Sequence, residues 1–199
     1  KTIPVEQRDA YFELVQYPVC GAAAMNIKHL YAQKARLLAR YNLLAANEYS
    51  FLSDHAYNEI AGLTQTYNHD IQKAKWNGMM DMKPRQLPVF QYPALPGKVS
   101  PQVNASALVW IEGDSIPLQS KQLSNLIPFV REAGNQTFIS LFSRGSKPVD
   151  WKIEKSPEWL KIEEQECGLR YEKRIIVSAD WTKINKDYAG ELLLSVDGE

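Results

Sequence analysis

Pro84-Arg85-Gln86-Leu87-Pro88, continuing through Pro93-Ala94-Leu95-Pro96-Gly97 to Pro101, is the stretch whose reading decides the fold, because the chain changes character across it. It holds 5 of the 11 prolines. Proline fixes φ and has no donor N–H, so the stretch can be neither helix interior nor central strand. It reads as an extended, semi-rigid connector over 84–104. Residues 1–83 before it carry apolar side chains at helical spacing and only 3 of the 10 glycines. Residues 105–199 after it carry short alternating runs separated by Gly, Pro, Ser and Asn. The expected class is α+β multidomain, with a partial antiparallel helical bundle followed by an immunoglobulin-like β-sandwich.

Working outward, three helices are expected in the first part. One starts near Pro4 and runs through Tyr11, Phe12, Leu14 and Val15 to Tyr17, where Pro18 must kink or restart it. A second carries Ile27, Leu30, Tyr31, Leu37, Leu38 and Tyr41 on a broad stripe. The third places Tyr49, Leu52, Ala56, Leu63 and Tyr67 at three- and four-residue steps. Gly21-Ala22-Ala23-Ala24 is small enough to admit another backbone. If part of the bundle lies elsewhere, the third stripe or this small-residue segment is the face expected to stand uncovered. In the second part, seven strands are expected, over 107–112, 127–131, 137–142, 149–154, 159–163, 171–178 and 191–196. In the sixth, Tyr171, Ile175 and Val177 oppose Glu172, Arg174 and Ser178.

Composition bounds the function classes. Among the 199 residues, 45% are apolar and 23% charged, with Lys plus Arg equal to Asp plus Glu at 23 each. A neutral balance argues against nucleic acid, whose binding draws on clustered positive charge. No apolar run approaches the roughly 20 residues of a membrane span. The chain opens Lys1-Thr2-Ile3-Pro4 without a leader and stops just after a strand-like run, which reads as a piece of a longer polypeptide. Cys20 and Cys167 are expected to be free thiols, since their spacing suggests no staple.

Chemistry is sparse. His55 and His69 on one helix would stand about 21 Å apart at 1.5 Å per residue, and His29 belongs to another, so no metal site and no cofactor are expected. No nucleophile elbow or phosphate loop occurs, and Ser146 reads as a turn residue. Glu112 with Asp114, and the run Glu163, Glu164 and Glu166, read as solvated strand ends rather than an acid–base pair. No catalytic residue is assigned. Among five tryptophans, Trp110, Trp151 and Trp159 are expected in the core. Trp181, after the sixth strand, is placed for exposure and is the one candidate carbohydrate contact. Asn104 and Asn135 head two N-glycosylation sequons.

Tyr11-Phe12-Glu13-Leu14-Val15-Gln16-Tyr17-Pro18-Val19, then Met25-Asn26 and Leu30-Tyr31-Ala32-Gln33-Lys34, resembles the C-terminal helical region of glycoside hydrolase family 115. Lys75-Trp76-Asn77-Gly78-Met79-Met80 before the proline-rich stretch is similar to the same family in the same order. Trp151-Lys152-Ile153-Glu154-Lys155-Ser156-Pro157-Glu158-Trp159-Leu160, with Ile175-Ile176-Val177-Ser178 and Gly190-Glu191-Leu192, resembles BACON-type immunoglobulin-like modules of Bacteroides carbohydrate enzymes. The first resemblance implies a bacterial, exported xylan α-1,2-glucuronidase that removes glucuronic or 4-O-methylglucuronic acid from xylan. In that family an α/β domain and a catalytic barrel precede the bundle, and β-sandwich domains follow it. Nothing here matches a barrel, so no catalytic position carries over. The implied partners are the missing catalytic domains, xylan or glucuronoxylan, and a second copy in a homo-oligomer. The implied location is extracytoplasmic. The competing expectation is an independent carbohydrate-binding or adhesion module without enzymatic activity.

Overall fold

The computed structural model describes residues 3–81, 87–103, 107–118, 122–134, 136–165, 168–186 and 188–198. The protein is α+β, and it divides into two compact units, Lys1–Leu37 with Ala46–Lys98, and Leu38–Ala45 with Val99–Glu199.

The first unit is built on helices. The chain is helical without interruption from Val5 to Ala39: a 3-10 turn Val5–Gln7, α1 Arg8–Tyr11, a π-helical turn Phe12–Gln16 and α2 Tyr17–Ala39. Two long helices thus replace the three expected. Pro18 does not end the helix, because it falls in the first turn of α2, directly after the wider π turn. There its missing N–H and its ring are accommodated. The second long helix, α3 Ala45–Gln65, ends in a π turn Thr66–Asp70 and a 3-10 segment Ile71–Ala74.

α2 and α3 run antiparallel, as their pairings show. Lys34 Nζ donates to the Tyr49 hydroxyl at 2.6 Å, and Ser53 Oγ donates to the Lys28 carbonyl at 2.7 Å. Tyr17 and Thr64 hydroxyls meet at 3.4 Å, and the Tyr17 and Tyr67 rings lie 4.8 Å apart. Tyr49, Ala56 and Tyr67 are buried, so the third stripe is a packing face and does not stand uncovered. The expectation for α2 needs a larger correction. Its buried face carries Ala24, Lys28, Ala32, Ala35 and Leu38, whereas Ile27, Leu30 and Leu37 of the apolar stripe point outward, as does Val19. Gly21 meets no neighbouring atom where a Cβ would stand, so it admits no second backbone.

The chain returns as a strap along the helices. After a 3-10 turn Pro88–Phe90 it is extended, and its carbonyls accept from α2. Lys28 Nζ donates to Val89 O and Gln91 O at 2.5 and 3.2 Å, and Arg36 Nη1 donates to Ala94 O at 2.6 Å. Tyr92 OH donates to Asp54 on α3 at 2.8 Å.

The second unit carries strands β1 Leu108–Ile111, β2 Gln136–Phe142, β3 Trp151–Lys155, β4 Leu160–Gln165, β5 Glu172–Ala179 and β6 Leu193–Val196. Four form an antiparallel sheet in the order β1-β2-β5-β4, and β3 pairs with β6. One apolar cluster joins Ile111, Ile139, Leu141, Ile175 and Val177 of the larger sheet to Val149 and Val196 beside the smaller. Ile175 and Val177 are buried as the alternation predicts, but Glu172 on the opposite face is buried too, where Arg174 Nη2 meets it at 3.1 Å. The strand expected over 127–131 does not form. That stretch lies outside every strand, and Pro128 removes a ladder donor in its middle, while Leu126 and Phe129 still pack against the cluster. Leu38–Ala45 belongs to this unit: Leu44 N donates to Ser143 O at 3.2 Å, and the Tyr41 ring meets Trp110 edge-on at 5.4 Å.

Among the described residues, no helix is long and apolar enough to cross a membrane. The calls on Glu166, Cys167, Asn104 and Asn135 lie outside the described residues.

Candidate functional site

Trp181 follows directly on β5, in a turn that is tied from several sides. Asp180 N donates to Trp159 O at 2.7 Å, and Lys183 N donates to Asp180 O at 3.0 Å. The Asp180 carboxylate accepts from Thr182 Oγ1 at 2.6 Å and from Thr182 N at 3.2 Å, with Lys161 Nζ at 3.6 Å. The Thr182 hydroxyl, against the opposing effect of partial burial, holds that carboxyl below its ordinary range. The Thr182 N–H and the charges of Lys161 and Lys183 add to it.

A second element reaches the same turn. Arg131 opens a 3-10 turn, Arg131–Ala133, that closes on left-handed Gly134 (φ 55°). Its Nη2 donates to Trp181 O at 3.1 Å and to Ile184 O at 2.7 Å, and its Cζ stands 5.4 Å from the Trp181 ring centroid. Trp181 itself is half-buried. The site is therefore an aromatic ring on a fixed turn, with a guanidinium over it. Nothing local in the sequence links Arg131 to Trp181, so this partner was not legible there.

The neighbouring aromatics belong to the same end of the unit. Trp159 is half-buried and meets exposed Tyr188 with centroids 6.5 Å apart. Trp110 and Trp151 are half-buried rather than fully enclosed, because each indole N–H reaches an acceptor near the surface, Asp114 O at 2.9 Å and Glu164 Oε2 at 3.1 Å.

The carboxylates considered from sequence are used structurally. Glu112 Oε2 accepts from Phe138 N at 3.1 Å, and Asp114 Oδ2 accepts from Ser124 Oγ at 2.9 Å. Glu164 holds Lys173 Nζ at 3.1 Å besides Trp151. In the helical unit, an apolar cavity of about 250 Å³ is walled by Tyr17, Met25, Ile60, Met80 and Phe90, with Asp81 at its rim. Asp81 accepts from the buried Asn68 amide at 2.8 Å. Among the described residues, no three His, Cys, Asp or Glu side chains gather to hold a metal ion. His29 contacts Val89 O at 3.1 Å, and Cys20 is a half-buried free thiol.

The two motifs that carry the family resemblance meet in the fold. Trp76 Nε1 donates to Glu13 Oε1 at 2.6 Å, and Gln72 donates through both its backbone N and its Nε2 to Asp9 Oδ2 at 3.1 Å. Comparison with protein-family models and with curated proteins finds no match.

Proposed function

We propose that this chain is the non-catalytic C-terminal portion of a glycoside hydrolase family 115-like enzyme. The complete enzyme would remove glucuronic or 4-O-methylglucuronic acid from xylan outside the cytoplasm. The helical unit would support the catalytic barrel and self-association, and the strand unit would be an immunoglobulin-like sandwich of the BACON type. The observation that carries this reading is the outward face of α2. Val19, Leu30 and Leu37 are 62%, 63% and 38% exposed, and at about 100° per residue they fall on nearly one line along the helix. They lie opposite the buried Ala24, Ala32 and Ala35. Exposed aliphatic side chains in one line suit a face that is covered in a larger assembly.

The union of the Tyr11–Val19 and Lys75–Met80 segments through Trp76 and Glu13 supports the same reading, since it gives the shared pattern a structural purpose. A second reading, an independent carbohydrate-binding or adhesion module, draws on the half-exposed Trp181.

The test is release of 4-O-methylglucuronic acid from glucuronoxylan, by the purified chain and by the full polypeptide that its gene encodes. Turnover by the longer polypeptide alone is the expected result. Turnover by the chain itself, lost on Glu112→Gln or Asp114→Asn, overturns the non-catalytic reading. A gene product with no barrel leaves the binding-module reading in its place.

A further inference from the structure

We propose that the cavity between α2 and α3 is a binding site for a small organic amine, an apolar group the size of a single ring joined through a short chain to an ammonium. Only the helical unit takes part, so the site is independent of any relation to a glycoside hydrolase.

Size and lining suit the apolar group. The cavity measures about 250 Å³, whereas an apolar cavity of about 150 Å³ accommodates benzene. Ile60 is its buried wall, and Tyr17, Met25, Leu63, Met80 and Phe90 are half-buried around it. Apolar walls with a single polar group are the usual make-up of a small-molecule pocket, and two flexible thioethers let these walls adapt to the shape of what enters.

The space is kept by small residues and reached from solvent. α2 presents Gly21 and Ala22 to the cavity, and no neighbouring atom lies within 4 Å of where a Cβ of Gly21 would stand. A large side chain there would fill it. Pro18, Ala22 and Asp81 of the lining are exposed, so a ligand can enter on their side.

On that same side a carboxylate is held in place. Asp81 Oδ1 accepts from Asn68 Nδ2 at 2.8 Å, and Asn68 Oδ1 accepts from Met80 N at 3.0 Å. Asn68 is fully buried and belongs to the π turn Thr66–Asp70, a backbone form that recurs at functional sites. A buried amide thus orients Asp81 before any ligand arrives, and a group already oriented loses little freedom on binding. Among the described residues no cation pairs with Asp81. A fixed negative charge beside an apolar cavity with two aromatic walls selects a cation with an apolar body. A neutral hydrophobe would leave the carboxylate unused, an inorganic cation would leave the walls unused, and an anion would be repelled.

The test is a titration of the chain with phenethylamine, phenethyl alcohol and hydrocinnamate at neutral pH. It is followed by the methyl resonances of Met25 and Met80, assigned by their loss in Met25→Leu and Met80→Leu. The expected result is a saturable shift of both methyls with the amine. Its affinity should stand about three- to fivefold above that for the alcohol, as a part-exposed ion pair supplies, and hydrocinnamate should not saturate. Asp81→Asn keeps an oxygen for the Asn68 amide and should bring the amine down to the level of the alcohol. Gly21→Leu should abolish both responses, with circular dichroism confirming intact helices. The wild-type comparison of the three probes decides the matter without any variant.

Equal affinity for amine and alcohol overturns the ammonium assignment, as does hydrocinnamate binding as tightly as the amine. No saturable shift with any probe overturns the cavity as a binding site. Turnover by the full polypeptide, which tests the proposed function, is untouched by any of these outcomes.

Discussion

Replacing Trp76 by Phe should loosen the junction between the Tyr11–Val19 and Lys75–Met80 segments by a calculable amount. The substitution keeps a ring in place but removes the N–H that reaches Glu13 Oε1 at 2.6 Å. A hydrogen bond to a charged group contributes about 1.5–3 kcal/mol, and this one is only partly buried, so the expected loss is about 1.5–2 kcal/mol. The helical unit spans about 90 residues, and for that size each kcal/mol moves Tm by about 4–8 °C. Its midpoint, followed by the helical circular-dichroism signal, should therefore fall by roughly 10 °C. Glu13→Gln should produce a smaller loss, because an amide oxygen still accepts. The double variant should then fall short of the sum by about 1 kcal/mol, since both changes touch one bond. Losses that add to within about 0.5 kcal/mol would refute the claim that this bond joins the motifs.

Three further outcomes follow from the geometry. Gly190→Ala would set a Cβ 2.5 Å from Pro157 Cγ and 3.4 Å from Trp159 Cζ2. It should cost about 1–3 kcal/mol, read as a lower melting point of the strand unit, and an unchanged melting point would contradict the packing. Asp197→Ala removes the acceptor of Ala107 N at 2.9 Å and Asp150 N at 3.0 Å, and it leaves alanine at φ 52°. Amide exchange at residues 107 and 150 should accelerate more than at the centre of β2, and equal protection at all three would count against that clasp. Alkaline pH should destabilise the helical unit. Burial first, then the negative charge of Glu13 and the neighbouring Tyr17, raise Tyr67 above its ordinary 10.0, and donation to Asp54 raises Tyr92. The unfolded chain then ionises first, so stability present below pH 10.0 is lost as pH rises through the folded values. Lys28 has the opposite sign: burial lowers it from 10.5, so its cost is full below the folded value and is relieved as pH climbs toward 10.5. In urea midpoints across the alkaline range, Tyr67→Phe should flatten the loss and Lys28→Met should steepen it; no change of slope in either would contradict the assignment.

Period and punctuation made much of this fold legible in sequence. The three- and four-residue spacing of Tyr49, Ala56 and Tyr67 marks a face that is indeed buried, and six of the seven expected strands overlap observed ones. The failures have physical causes. On α2 the large side chains drew the stripe, but the buried positions are Ala24, packed with Ala56 and Ile60 of α3, and Ala32 and Ala35, whose small volume gives them little weight in any hydrophobic pattern. The apolar run 127–131 contains Pro128, and the ladder donor that it lacks outweighs the run's strand-like composition. At the candidate site the sequence set Trp181 apart as exposed, yet it is half-buried like Trp110, Trp151 and Trp159. Arg131 was not legible as its partner, because the 50 residues between them are closed up only by tertiary structure. The structural roles of Glu112, Asp114 and Glu164 follow from long-range partners in the same way.

The proline-rich return over 87–94 shows how one composition can exclude regular structure and still be held in place. Without helix or ladder pairing, its carbonyls need donors from elsewhere, and its prolines have no N–H that would need an acceptor. α2 meets that need with basic side chains. Lys28 serves Val89 and Gln91, His29 meets Val89, and Arg36 serves Ala94. The exchange also accounts for a lysine of 0% exposure among the alanines of α2. A buried ammonium with no carboxylate would be costly, but two carbonyls and the Tyr57 ring at 5.8 Å take over from water. Each side removes the other's penalty, so neither Lys28 nor the strap can be changed alone without cost. A hydrophobic replacement of Lys28 would free α2 from burying a charge while leaving the Gln91 carbonyl without that donor, and the strap over 87–94 is where that loss must appear first.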